Sequence, residues 1–291
     1  EVVKFYDEPV INGAFFYSDF LMKSISKYVK VCLTGNGADE IFAGYNTYSN
    51  LDVPRIPFIN YFFKDPFQSK FSFASHYFST PFHKRRGIYY KKLAYQNFNK
   101  YFTKSFLKNI DFEYPSKIID SASLECDARD FLDTHLYTDL MICHRHGHCV
   151  IPDRSGMRFG LELRSPFLNH KIIEFAYRIP NNFKIRSFII KKIRKYIIKK
   201  SLKRYLPKEL IFMNKIGFGY DLNKKIGNFL DLSKNLKLKK IIKSGEFNSE
   251  KIFNQGFLNN VFKDGNIYEK MYIALIAIWY ETCIAKKKIE I

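Results

Sequence analysis

The chain has 291 residues, 46% of them apolar, and a formal net charge of +20. That content supports one large domain or two small ones with a sizeable core, which excludes a disordered chain, and no apolar run reaches membrane-spanning length. The lysines are dispersed among many Ile, Phe, Tyr and Asn residues, as a low-GC genome would choose them, so the charge argues for solubility rather than for a nucleic-acid partner.

Five scattered cysteines (Cys32, Cys126, Cys143, Cys149 and Cys283) suit reduced thiols better than a disulfide framework, so a soluble cytoplasmic protein is expected. The text opens on Glu1 and an apolar segment, and further sequence upstream is expected. Residues 1–50 read as loop, helix (about Ala14 to Tyr28), strand and helix, a remnant of a doubly wound nucleotide-binding sheet. Val29 to Leu33 is an apolar run with the β-branched bias of a buried strand. Gly35 and Gly37 then supply turn freedom, and a helix starts near Ala38.

Residues 51–291 read as a mainly helical part that completes the site. Pro54, Pro57 and Pro66 punctuate a connection, and apolar spacings near three and four predict helices between about Phe67 and Asp139. The clearest helix is predicted over Phe188 to Leu206, with Ile189, Ile193, Tyr196, Ile197 and Leu202 on its apolar face and Pro207 past its end. Its basic residues, Lys191 to Arg204, read as a solvated face. A last helix, near Asn266 to Ile284, carries the single tryptophan, Trp279.

Four segments carry candidate chemistry. The turn Thr34-Gly35-Asn36-Gly37 precedes an acidic pair, Asp39 and Glu40. Amides at a helix start attract phosphate, and Asp39 beside bound phosphates is placed to hold Mg2+. Neither GxGxxG nor GxxxxGK[ST] is present, so neither familiar phosphate loop explains the site. Asp153-Arg154, with Glu162 and Arg164 following, sets charges of both signs in an apolar stretch, which reads as an internal ion-pair network or as the wall of a polar-substrate pocket. Cys143 to Cys149 holds three histidines, but its alternating spacing argues against a structural zinc knuckle, and His144 or His146 is expected to help shape a pocket. Lys215, on a loop hinged by Gly217 and Gly219, is placed to bring a cation onto a transferring phosphate.

In order along the chain, these segments resemble the synthetase domain of the glutamine-dependent asparagine synthetase family. Its signatures are an Asp-Glu-Pro, a (S/T)GxGxDE(L/I)FxGY, a DRxxMxxxLExRxPFLxH and a lysine just before GF. They match Asp7-Glu8-Pro9, Thr34 to Tyr45, Asp153 to His170 and Lys215 to Phe218. The resemblance implies an α/β, adenine-nucleotide α-hydrolase-like fold with a truncated parallel sheet and a large mainly helical remainder. It also implies that ATP adenylates a carboxylate, aspartate in the first instance, and that ammonia then displaces AMP to give an amide such as asparagine. By position it assigns Thr34 and Gly35 to the nucleotide, Asp39 to Mg2+ and pyrophosphate, and Lys215 to charge on the α-phosphate. Glu40, Asp153, Arg154, Glu162 and Arg164 fall to the pocket or its support.

Asn36 departs from the glutamate usual in the asparagine-forming members, at a position linked to processing the adenylate. Asn carries no charge, which raises relatives that amidate or cyclise a sugar acid, a peptide or a β-amino acid. The SGGxDS pyrophosphate loop and a glutaminase domain that would supply ammonia are missing from the text, so the fragment is not expected to act alone. A homodimer is admitted, and a degenerate non-catalytic or nucleic-acid-binding protein is the alternative from another class.

Overall fold

Two short strands from distant parts of the chain meet to make the sheet on which the site is built. The computed structural model describes residues 2–9, 14–51, 98–128, 130–187, 192–213, 229–232, 235–244, 246–249 and 251–286. Strand β1 (Val31–Leu33) pairs in parallel with β2 (Glu162–Arg164), with Cys32 opposite Leu163. Parallel neighbours need a long crossover, and here the whole stretch between Thr34 and Leu161 serves as one. Among the described residues β1 has this single neighbour. The apolar run expected to be buried therefore leaves Val31 at 43% and Leu33 at 71% exposure, because no layer of the described residues covers that face.

Helices α1 (Val2–Tyr6) and α2 (Ala14–Ile25) lead into β1, and a single turn, α3 (Ala38–Ile41), follows it. Helix α4 (Phe131–Thr138) runs directly into a π-helical segment, Asp139–His148, and then into α5 (Val150–Arg158), which delivers the chain to β2. Helix α5 packs on α2. Arg158 clamps that contact, its guanidinium donating to Asp19 Oδ1 at 2.6 Å with both side chains mostly buried. Gly156 lets α5 approach β2, since a Cβ there would strike the Leu161 carbonyl and the Leu163 side chain.

Past β2 come α6 (His170–Arg178) and a hairpin of β3 (Ile185–Ser187) with β4 (Lys192–Arg194). This hairpin overturns the helix expected over Phe188 to Leu206. Lys192 to Arg194 are drawn into antiparallel pairing with β3, and Lys195 turns through a left-handed conformation at φ 50°, so helix α7 covers only Tyr196–Leu202. The residues are the same, but pairing with β3 decides between helix and strand. Of the helices expected between Phe67 and Asp139, those from Phe98 onward are present; residues 67–97 and the Pro54, Pro57 and Pro66 connection lie outside the described residues.

The largest core gathers on α8 (Gln255–Asp264) and α9 (Ile267–Trp279). Met271, Ile273, Leu275 and Ile278 pack with Tyr6, Phe15, Leu238, Phe247 and Phe253. Each such side chain contributes about 1.5–3 kcal/mol on burial. A smaller core ties the site to the helical part: Ile41 and Phe42 bury against Ala176 and Ile179, while Ala43 and Tyr48 bury with Leu132, Leu136 and Ile185. No helix of the described residues is long and apolar enough to cross a membrane.

Candidate active site

The carboxyl ends of β1 and β2 open on the same side. Thr34 continues β1 by donating its amide to the Arg164 carbonyl at 2.8 Å, and its hydroxyl lies 2.7 Å from that of Ser165. Beyond this clasp Asn36, Leu163, Ser165 and Leu168 face Cys149, Val150, Pro152 and Asp153 across a cleft of about 370 Å³. Ligands of open α/β sheets settle in such a crevice outside the carboxyl ends of the strands. Gly37 sits at φ +89°, where an added Cβ would also run into Leu168, so the turn needs glycine there. Around Gly35 a Cβ would meet nothing within 4 Å, which leaves the backbone open to close approach.

The helix after this turn is one turn long, too short for a cumulative dipole. What surrounds Asp39 is instead a side-chain charge. Lys195 Nζ lies 3.0 Å from Asp39 Oδ1, with the two side chains 25% and 21% exposed. The left-handed turn at Lys195 places that ammonium, and Gly44 makes room for it: a Cβ at residue 44 would overlap the Asp39 carboxylate and the Lys195 stem. Lys195 belongs to the segment read as a solvated basic face, and the β4-to-α7 turn is what redirects it. No sequence spacing pairs residue 195 with residue 39.

Glu40 points the other way, into the protein, and is 2% exposed. Its Oε1 accepts from the Tyr45 hydroxyl at 2.6 Å, and the Nδ1 atoms of His144 and His148 lie 3.0 and 3.1 Å from it. Burial works against its ionisation, but these three neighbours outweigh it and hold the carboxyl well below the ordinary range. For His144, burial opposes the imidazolium, while Cys149 and Glu40 favour it and leave the pKa raised to about 9. Tyr45 is pushed upward by burial and by the Glu40 carboxylate.

The expected motifs at either end of α5 meet different fates. Arg154 bonds the carbonyl of Tyr6 and reaches Glu8 Oε1 at 3.1 Å, so the Asp7-Glu8-Pro9 and Asp153-Arg154 segments come together. Tyr6 adds a buried contact to the Ser155 hydroxyl and donates to the Ile151 carbonyl at 2.8 Å. Asp153 is exposed at the cleft wall. Glu162 and Arg164 pair with each other at 2.8 Å, 54% and 63% exposed, so their charges form no buried network. Lys215 and its Gly217 hinge lie outside the described residues. His146 stands apart from the group that Glu40, His144 and His148 make. That three-residue cluster escaped the sequence reading, although the i, i+4 histidine spacing was a usable signal.

Comparison with known proteins gives a family. The asparagine synthase family model matches residues 1–280. The chain is 24% identical over 232 residues to asparagine synthetase (glutamine-hydrolyzing) 1 of Bacillus subtilis (strain 168), a match covering 75% of this chain and 35% of that protein. It is 46% identical over 48 residues to a putative asparagine synthetase (glutamine-hydrolyzing) of Mycobacterium tuberculosis (strain ATCC 25618 / H37Rv), 16% of this chain and 7% of the relative. The matched region thus spans about a third or less of the length of these relatives.

Proposed function

The chain belongs to the asparagine synthase family, and from that premise we propose that it serves as the synthetase part of an ATP-dependent, amide-forming ligase. A carboxylate oxygen attacks the α-phosphorus of ATP as the bond to the β-phosphate breaks, which releases pyrophosphate and leaves an acyl-adenylate. Ammonia then attacks the acyl carbon, AMP departs, and the nitrogen gives up a proton to leave the amide. Aspartate is the first candidate substrate and asparagine its product. In this reading ammonia comes from glutamine through a glutaminase domain, since the curated relatives bear that reaction in their names and run well beyond the matched region. The fold proposed for the intact enzyme is adenine-nucleotide α-hydrolase-like, in a soluble, cytoplasmic protein.

One observation carries the reading: the Thr34 to Gly37 turn and Ser165 close the carboxyl ends of the parallel pair at a cleft walled by Asn36 and Asp153. Thr34 and Gly35 would bind the nucleotide phosphates, with the open backbone at Gly35 allowing contact. Asp39 is a partly exposed carboxylate, a donor that suits Mg2+, which prefers one or two carboxylates together with phosphate oxygens. Bound there, Mg2+ would neutralise phosphate charge. Lys195, already beside Asp39, and Lys215 would supply cations to pyrophosphate and to the α-phosphate. Glu8 and Arg154 brace the segment that carries Asp153, while Glu162 and Arg164 belong to the site's support.

Asn36 in the cleft wall favours a second reading within the same chemistry, because a neutral amide there neither carries charge nor acts as a base. In that reading the amidated or cyclised carboxylate is a sugar acid, a peptide or a β-amino acid. Full-length protein incubated with ATP and Mg2+, first with aspartate and then with a panel of such carboxylates, distinguishes the two through carboxylate-dependent AMP release. Asp39→Asn and Lys215→Ala are each expected to abolish substrate-dependent ATP–pyrophosphate exchange while leaving the far-UV circular dichroism intact. Full exchange in either variant would refute its assigned role.

A further inference from the structure

The histidine-rich segment that precedes α5 is not used by the proposed chemistry, and its geometry has a content of its own. His144 and His148 stand four residues apart on one face of the π-helical segment, the spacing at which two imidazoles reach one ion. Glu40 comes from the other side, 108 positions away in sequence from His148, and the three ligand atoms all lie within 4.8 Å of one another. Zinc ligands at about 2.0–2.1 Å in tetrahedral array stand about 3.3 Å apart. Here the two Nδ1 atoms are 3.0 and 3.1 Å from Glu40 Oε1.

A hydrogen-bonded cluster would use similar distances, and His144 separates the two cases. Its side chain is 4% exposed, with Glu40 and Cys149 beside the ring, yet neither ring nitrogen is aligned for a hydrogen bond among the described residues even though Nδ1 lies 3.0 Å from the carboxylate. A buried ring nitrogen left without such a bond is costly, and a metal ion accepts its lone pair where a misaligned N–H cannot bond. His148, 45% exposed, gives the cluster an opening to solvent through which an ion can enter.

We propose that Glu40, His144 and His148 form a binding site for a transition-metal dication, zinc foremost, with a fourth position left to water or another ligand. Two imidazoles and one carboxylate suit zinc and its neighbours, whereas Mg2+ calls for an all-oxygen set. The site is separate from the Mg2+ proposed at Asp39. It stands whether or not the ligase reading does.

The test uses untagged full-length protein, stripped with a chelator and then exposed to Zn2+ alone or Co2+ alone, with no ATP and no Mg2+. About one Zn2+ should remain per chain after exhaustive dialysis, and the Co2+ form should show the intense visible bands of a tetrahedral site. Changing a partner around a metal ligand lowers affinity 10–100-fold, so His148→Ala, which removes a ligand, should weaken zinc binding by at least about 100-fold. That variant changes a half-exposed side chain, and its circular dichroism and metal-free melting temperature check that it folds. Zinc should raise the melting temperature of the parent protein and leave that of His148→Ala unmoved. Absence of retained zinc in the parent overturns the proposal, and so does equal zinc affinity in parent and variant.

Discussion

Gly44 shows how a residue without a side chain can govern two that have one. A Cβ added there would meet the Asp39 carboxylate and the Lys195 stem, and both are flexible side-chain ends that can move aside. Gly44→Ala should therefore fold with a melting temperature close to the parent's, yet lower ATP–pyrophosphate exchange at least about tenfold, which corresponds to about 1.4 kcal/mol of lost transition-state stabilisation. A large loss of stability with exchange preserved would count against the pairing. Asp39 and Glu40 are adjacent, yet one meets an ammonium at the site's edge and the other is buried among Tyr45, His144 and His148. The acidic pair is visible in the sequence. Its division of labour is not, because residues 195, 144 and 148 reach it only through folding.

At the scale of elements, the clearest case is the start of α9. Asn266 accepts from the amides of Tyr268 and Glu269, and Glu269 returns a bond to the Asn266 amide, closing a capping box. Asn266→Ala should destabilise the protein by about 1 kcal/mol, read as a lower melting temperature. Burial opposes the Glu269 carboxylate, but Lys100, the Asn266 amide and Tyr101 depress its pKa below the ordinary 4.5. A depressed acid contributes stability above its unfolded value, and that stability is lost as pH falls through the folded one. Melting temperatures taken from pH 7 downward should thus show the parent's advantage over Glu269→Gln present at neutral pH and shrinking as the pH falls below the unfolded value of 4.5 and through the depressed folded one. Helix α9 was expected near Asn266 to Ile284, while its cap was not read from the sequence, although Asn266 and Glu269 stand at capping-box spacing there. The strand before α7 was not expected: Lys192 to Arg194 answer to a partner strand, and an apolar alternation a few residues long fits either state.

Across the whole molecule, charge is placed more selectively than a net +20 suggests. Lys184 is fully buried, and its ammonium donates to Asp133 Oδ1 at 2.6 Å, with Asn181 bridging Asp130 and Asp133. Removing one member of a buried pair strands the other, so Asp133→Ala should cost about 3 kcal/mol in denaturant unfolding. A change below about 0.5 kcal/mol would show that Lys184 finds water instead. The same pair joins α4 to the turn before β3, and through Leu132, Leu136 and Ile185 to the core beneath Ala43 and Tyr48. The sequence by itself determined the family, the Thr34 to Gly37 turn, the α/β class and the last helix, because each rests on neighbours in the chain and on local backbone freedom. Only the tertiary structure decided that Val31 and Leu33 stay exposed, that Lys195 meets Asp39, and that two histidines converge on Glu40, because those outcomes depend on which distant surfaces exclude water together.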